Sequence, residues 1–389
     1  MMQSWVGKHW KTGKTVEVHV LSGRIHSIKE TAEDGAADVW LAPALMDLQV
    51  NGIHGVNYNG QSTTIGEIAG TVRYLHTCGV ARFFPTVTSC SQEDALSRIA
   101  LLVQACEADP ITDYAIAGIH IEGPYLSADD GPRGAHSVKV MRDPDWNEFL
   151  AWEATAKGRL RMVTLAPERE GAIPFIRKLT DRGIIAAIGH TGATEEQIRL
   201  AVEAGATMST HLGNGAHPML KRHPNYIWAQ LGEDRLWAGL IADGFHLPLS
   251  TLKSMIRVKG NKAILVSDTN MLEGAPPGTY RYGVNDVIKD AEGRLFLAAT
   301  PDIFAGSALA LNEGVANIVR FGIGSVSEAI EMASTHAAEL LGSAQDGAGS
   351  LTPGAPADFV LYSSDGSNWF QVREMVSQGV SQFKIGHYA

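Results

Sequence analysis

Three short apolar stretches of this sequence end on side chains that bind metals. Ala115 to Ile121 leads into Glu122, Ile184 to Gly189 into His190, and Ala206 to Thr210 into His211. Such runs read as buried strands, and Gly123-Pro124 ends the first of them. A carboxylate at the end of a buried strand needs a partner. Two neutral imidazoles and one carboxylate around a divalent ion leave a net positive site with an open coordination position, the donor set of a catalytic rather than a structural centre.

Other residues in matched positions could act beside such an ion. Asp268 follows the strand-like run Ala263 to Ser267. A carboxylate there can take a proton from an ion-activated water and deliver it to a leaving amine, serve as a further ligand, or cap the following turn. His246 closes the segment Asp243-Gly244-Phe245-His246 just beyond another apolar run. It could donate to a scissile carbonyl oxygen or sit on Asp243 as an ordinary loop histidine. His136 and Arg222, the latter between Lys221 and His223, are candidate anion contacts or parts of a solvated basic loop. Asn214 could donate its amide to a sugar or phosphate.

Elements that converge these residues can be read from the chain. Strand-like runs recur at Met46–Gly52, Arg82–Val87, Tyr114–Glu122, Leu160–Leu165, Ile184–His190, Met208–His211, Trp237–Ile241 and Ala263–Ser267. Helical patterns separate them. Thr64-Ile65-Gly66-Glu67 reads as a capping box, Gly79 as a stop, and helices are expected after Ser91, near Ile173 to Asp181 and after Thr194. Eight alternating units predict a closed (β/α)8 barrel, in which every strand end faces one mouth. The 21 residues from His190 to His211 fit one loop, helix and strand. An open doubly wound sheet would want a Gly-rich fingerprint that Asn51-Gly52-Ile53-His54-Gly55 lacks. Alternating runs near both termini predict a small β-sandwich domain, with residues 1–42 and 348–389 flanking a barrel over 43–347. The polar tracts Leu126 to Val138 and Gly274 to Gly278 are expected as substrate lids or surface excursions.

A formal charge of −10 argues against a general nucleic-acid or anionic-membrane surface. Cys78, Cys90 and Cys106 show no CxxC spacing and read as core thiols. The N-terminus lacks an apolar signal segment, and no run of 18 apolar residues occurs, so a cytoplasmic protein is expected.

Taken together, the motifs resemble those of the N-acetylglucosamine-6-phosphate deacetylases, a branch of the amidohydrolase superfamily. The similarity runs through Leu41 to Gly52, His120-Ile121-Glu122-Gly123-Pro124-Tyr125, Gly134-Ala135-His136, Gly189-His190-Thr191, Thr210-His211-Leu212, Asp243 to His246, Ser267-Asp268, Ala305 to Leu309 and Leu351 to Leu361. The resemblance implies a metal-dependent hydrolase on a TIM barrel, with Glu122, His190 and His211 as metal ligands and Asp268 as the catalytic aspartate. It implies that His246 contacts the carbonyl and that His136 contacts the substrate. It further implies a homodimer in which Arg222 reaches phosphate across the interface. The superfamily's first-strand His-x-His pair is replaced by Gln49 and Asn51, which favours one divalent ion, Zn(II) or Fe(II), over two; His54 is the remaining candidate ligand for a second. The family's Asn-Ala-Met substrate segment is altered here to Gly213-Asn214-Gly215-Ala216, leaving Asn214 and Gly215 as expected substrate contacts. Deacetylation of N-acetylglucosamine 6-phosphate is therefore the expected reaction. The alternatives are hydrolysis of another N-acyl sugar, N-acyl compound or cyclic amide, and a non-catalytic metal-binding protein.

Overall fold

The computed structural model describes residues 2–31, 38–364, 366 and 369–386. Eight strands form one sheet: β1 (Leu45–Val50), β2 (Val80–Thr88), β3 (Ile119–Glu122), β4 (Leu160–Leu165), β5 (Ile185–Ile188), β6 (Met208–Ser209), β7 (Trp237–Ile241) and β8 (Ala263–Val266). Their order in space is their order in sequence, and the pairings from β2 through β8 are parallel. Beyond β8 the sheet meets its first strand. Asp268 N donates to Gln49 O at 3.0 Å and Asn51 N to Thr269 O at 2.8 Å. The result is the nearly closed (β/α)8 barrel anticipated from the alternation, with the strand ends collected at one mouth.

Helix signals are realised by side-chain caps. Thr64 and Glu67 exchange bonds at the start of helix Ile65–Thr77, and Thr194 and Gln197 do so before Glu195–Glu203. Gly79 takes φ +76° after the first of these helices.

The third strand begins later than its sequence suggests. Asp109 caps a short helix, Pro110–Ala115, with Pro110 in its first turn, so the start of the apolar run is helical and only Ile119 to Glu122 is strand. A larger difference lies past Asp268. The Gly274 to Gly278 tract leads into a four-stranded antiparallel sheet, β9 (Gly278–Tyr282), β10 (Asn285–Lys289), β11 (Leu295–Leu297) and β12 (Thr300–Phe304), built on a small apolar cluster of Leu272, Val287, Leu295, Ala305 and Ala308.

Strands from both termini form a separate mixed sheet. Its order is Val380–Lys384, Gln371–Ser377, Phe359–Ser363, Trp40–Pro43, Gln3–His9, Thr15–Leu21, Arg24–Glu30. Trp40–Pro43 joins the two ends of the chain, running antiparallel to Phe359–Ser363 and parallel to Gln3–His9. Trp5 fixes the same junction with its ring against Phe359 and its indole N–H on Glu374 at 3.0 Å.

The chain divides into two compact units, Met1–Asp47 with Val72–Phe83 and Ala310–Ala389, and Leu48–Thr71 with Phe84–Leu309. The three cysteines are buried and unbridged. Among the described residues, no helix is long and apolar enough to cross a membrane.

Candidate metal centre and active site

Glu122, His190, His211 and Asp268 all stand just past or at the ends of barrel strands, within the second unit. The last three hold positive φ values of 49°, 29° and 50°. L-residues reach that region at a steric cost, so the backbone turns sharply there and brings each side chain into the mouth.

Three ligand atoms lie close together. His211 Nε2 is 3.0 Å from Glu122 Oε1 and 3.1 Å from His190 Nε2, and His190 Nε2 is 3.4 Å from Glu122 Oε1. Two donors each bonded to one ion at about 2.1 Å are separated by roughly 3.4 Å in tetrahedral geometry, so this triangle fits one divalent ion. The tautomer also fits. His190 Nδ1 donates to the Pro132 carbonyl at 2.7 Å, which leaves the Nε2 lone pair facing the triangle. His136 borders the same group: its Nε2 is 3.9 Å from Glu122 Oε2, its ring meets His190 edge-on at 4.5 Å, and Glu122, His136 and His190 also present ligand atoms within 4.8 Å of one another.

The electrostatics favour a cation. Burial opposes ionisation of Glu122, but the hydrogen bonds and charge of His190 and His211 outweigh it and hold the carboxyl well below the usual range. Burial likewise disfavours an imidazolium at His211, yet Glu122 and then Asp268 raise its pKa. His136 is pushed down to about 3 by burial and by His190. A site that draws a proton onto His211 is one in which a divalent ion would be well accommodated.

Asp268 is tied to this group through amides. Gln49 Nε2 donates to Glu122 Oε1 at 3.1 Å and to Asp268 Oδ1 at 3.0 Å, and Asn51 Nδ2 adds a 2.7 Å bond to the same Oδ1. Burial, reinforced by the Glu122 charge, raises the Asp268 pKa against the pull of His211. His246 Nδ1 is 2.6 Å from Asp243 Oδ2, while the other Asp243 oxygen accepts the Phe245 and His246 amides at 2.8 and 2.9 Å. Asp243 therefore holds the proton of the neutral imidazole on Nδ1 and turns Nε2 toward the cavity.

A cavity of about 540 Å³ opens over these groups. Its lining includes His136, Asn214, Gly215, His246 and Asp268 together with Glu122, His190 and His211. Gly215, at φ +57°, lies so close to His190 that a Cβ would stand 2.5 Å from Nδ1. Arg222 is exposed and is not in the lining, and His54 faces Glu273 at 3.7 Å, also outside it. The Leu126 to Val138 tract does reach the cavity, through Asp130, Gly131, Gly134, Ala135 and His136.

Some neighbours of the site are not apparent from ligand types alone. Gln49 and Asn51 read as poor ligands, but their positions near and just past the end of β1 make them donors to the carboxylates. The spacing of Asp243 three residues before His246 was a usable signal for that pair. Tyr282, Thr300, Asp302 and Phe304 enter from the inserted sheet. Its alternation, Thr279-Tyr280-Arg281-Tyr282 then Asp286-Val287-Ile288-Lys289, is legible as a hairpin once the barrel is not assumed to end the strand list.

This architecture and donor set are those of a metal-dependent barrel hydrolase. The model of the amidohydrolase family matches residues 74–380, and the chain belongs to that family. Within it the chain is closely related to the N-acetylglucosamine-6-phosphate deacetylases. One of these, from Bacillus subtilis (strain 168), is 33% identical over 334 residues, spanning 85% of this chain and 82% of that protein. An N-acetylgalactosamine-6-phosphate deacetylase of Escherichia coli O157:H7 is 30% identical over 325 residues, spanning 83% and 84%. A mutant N-acetyl-D-glucosamine-6-phosphate deacetylase of Mycobacterium smegmatis, solved in complex with N-acetyl-D-glucosamine-6-phosphate, superposes with a TM-score of 0.86 at 28% identity, covering 98% of this chain and 99% of that one.

Proposed function

We propose that this chain hydrolyses N-acetylglucosamine 6-phosphate to glucosamine 6-phosphate and acetate. The observation that carries the reading is the Gln49 amide, which spans Glu122 and Asp268 and so sets a proton-transfer carboxylate beside the ligand triangle. Glu122, His190 and His211 are the proposed ligands of one ion, Zn(II) or Fe(II), which when bound would polarise the acyl carbonyl and lower the pKa of water.

The residues divide the remaining work. Both amide donors converge on Asp268 Oδ1, leaving its other oxygen to take the proton of the attacking water. Burial makes the protonated carboxyl easier to reach than in water, and it then delivers that proton to the amine as the C–N bond breaks. His246, oriented by Asp243, presents Nε2 to the carbonyl oxygen and would donate to it there in the imidazolium form as negative charge develops. His136, Asn214 and the Gly215 backbone are the proposed sugar contacts.

Phosphate recognition is proposed to need a second copy. Among the described residues the cavity lining contains no lysine or arginine, while Arg222 sits exposed beside Met219 and Leu220. A homodimer would cover those apolar side chains and bring a guanidinium to its neighbour's cavity. The buried free thiols accord with a cytoplasmic enzyme.

A second reading, hydrolysis of a different N-acyl sugar, is favoured by Gly213 and Gly215 in the lining and by the galactosamine-type relative. Acetate release from the phosphorylated and unphosphorylated forms of N-acetylglucosamine and N-acetylgalactosamine tests both. The proposal expects the highest kcat/KM on N-acetylglucosamine 6-phosphate. A preference for the galactosamine substrate, or indifference to phosphate, would transfer the assignment to the second reading.

A further inference from the structure

Hairpin β9–β10 turns through Gly283-Val284, so Tyr282 pairs with Asn285. From that turn Asn285 Nδ2 donates to the Ala135 carbonyl at 2.8 Å, joining positions 150 residues apart. Ala135 also packs on the apolar cluster that Tyr282 covers. The peptide held in this way leads directly into His136.

Loop neighbours show what that peptide controls. Pro132 O holds His190 Nδ1 at 2.7 Å, and Arg133 Nη1 donates to the His136 carbonyl at 3.1 Å. The His136 ring, meanwhile, stands edge-on to His190 and 3.9 Å from Glu122 Oε2. It therefore has two destinations within a small movement of its backbone: inward, where it joins Glu122 and His190 as a ligand, or outward, away from anything bound in the cavity.

We infer that Asn285 is a positioning residue which, through the Ala135 carbonyl, fixes His136 at the distance where it meets substrate without joining the ligand set. The inserted sheet is then part of the substrate-recognition apparatus, because its hairpin sets a side chain carried by the β3 loop. The inference rests on the proposed reading for its choice of substrate and on the hydrogen bond alone for its geometry.

Four proteins test it as a cycle: wild type, Asn285→Ala, His136→Ala and the double variant, with Val284→Ala at the exposed hairpin tip as control. Asn285→Ala should raise KM for N-acetylglucosamine 6-phosphate, and weaken glucosamine 6-phosphate binding in calorimetry, by about fivefold, the scale of one lost hydrogen bond. Metal content, kcat and Tm should change little. Asn285→Asp, equal in shape but without the amide donor, should reproduce the loss. In the His136→Ala background the further loss should vanish. Equal losses in both backgrounds, or a lower Tm with unchanged KM, would overturn the inference.

A readout independent of substrate identity separates its failure from that of the deacetylase reading. In histidine-labelled protein the ring signals assigned to His136 by their disappearance in His136→Ala should shift in Asn285→Ala and stay in place in Val284→Ala. Unmoved His136 signals would overturn the positioning role even if the enzyme proved to act on another amide. Shifted signals in a protein that hydrolyses no acetamido sugar would uphold it and reject the deacetylase reading.

Discussion

His190 is gripped from two sides, by the Pro132 carbonyl at Nδ1 and by the glycine at 215 pressed against its ring. A methyl group at 215 has no room, since the nearest atom is a ring nitrogen that is already hydrogen-bonded and the backbone is left-handed. Gly215→Ala should therefore displace the imidazole and weaken metal retention by about tenfold or more, the usual scale for disturbed supporting contacts of a ligand. Titration against a chelator checks this, and unchanged retention would show that the loop yields instead. At this scale the ligand-type residues were legible in the sequence because each follows a readable apolar run. The donors Gln49 and Asn51 were not, because an amide's role depends on which carboxylate it meets across the barrel.

At the scale of elements, helix Ile65–Thr77 carries a buried histidine whose consequence is pH dependence. Burial, with the nearby Arg73 charge, pushes His76 down to about 4, and its Nε2 has no hydrogen-bond partner among the described residues. The unfolded chain protonates this group near 6.5, the folded chain only near 4. Its contribution to stability is therefore complete above pH 6.5 and is lost as pH falls toward 4, a change of up to about 3 kcal/mol. Denaturant titrations of His76→Leu should show a flatter stability profile between those limits; an unaltered slope would assign the acid sensitivity elsewhere. Element identity was well marked where caps carried it, as at Thr64 and Thr194. It failed where an apolar run continued from a helix into a strand, at Ala115, and where a hairpin insert followed the eighth barrel strand, because periodicity alone does not say that a strand list continues.

For the molecule as a whole, the proposed substrate's charge and that of the protein have the same sign, since the chain carries a formal −10. A phosphorylated sugar then needs a local cation, and the proposed one is Arg222 of a second copy. Arg222→Ala should raise KM for N-acetylglucosamine 6-phosphate by about tenfold or more while leaving hydrolysis of the unphosphorylated sugar unchanged, in a protein that scatters light as a dimer. A monomer of unaltered KM would remove both the dimer and the arginine from the account. The alternation of strands and helices made the barrel visible in the sequence, and the two β-rich ends made the terminal sheet visible. The proposed dimer comes from the family resemblance and not from residue patterns, because an exposed basic loop reads the same whether water or a second subunit covers it.

The central claim is that Asp268 moves the proton in an ion-assisted amide hydrolysis while Glu122, His190 and His211 hold the ion. Steady-state acetate release from N-acetylglucosamine 6-phosphate by wild type and Asp268→Asn, each with its bound metal quantified, tests it most directly. The account predicts an active wild type and a variant that retains one ion per chain but loses about a thousandfold or more in kcat. A variant that retains both its ion and near-wild-type turnover would contradict it.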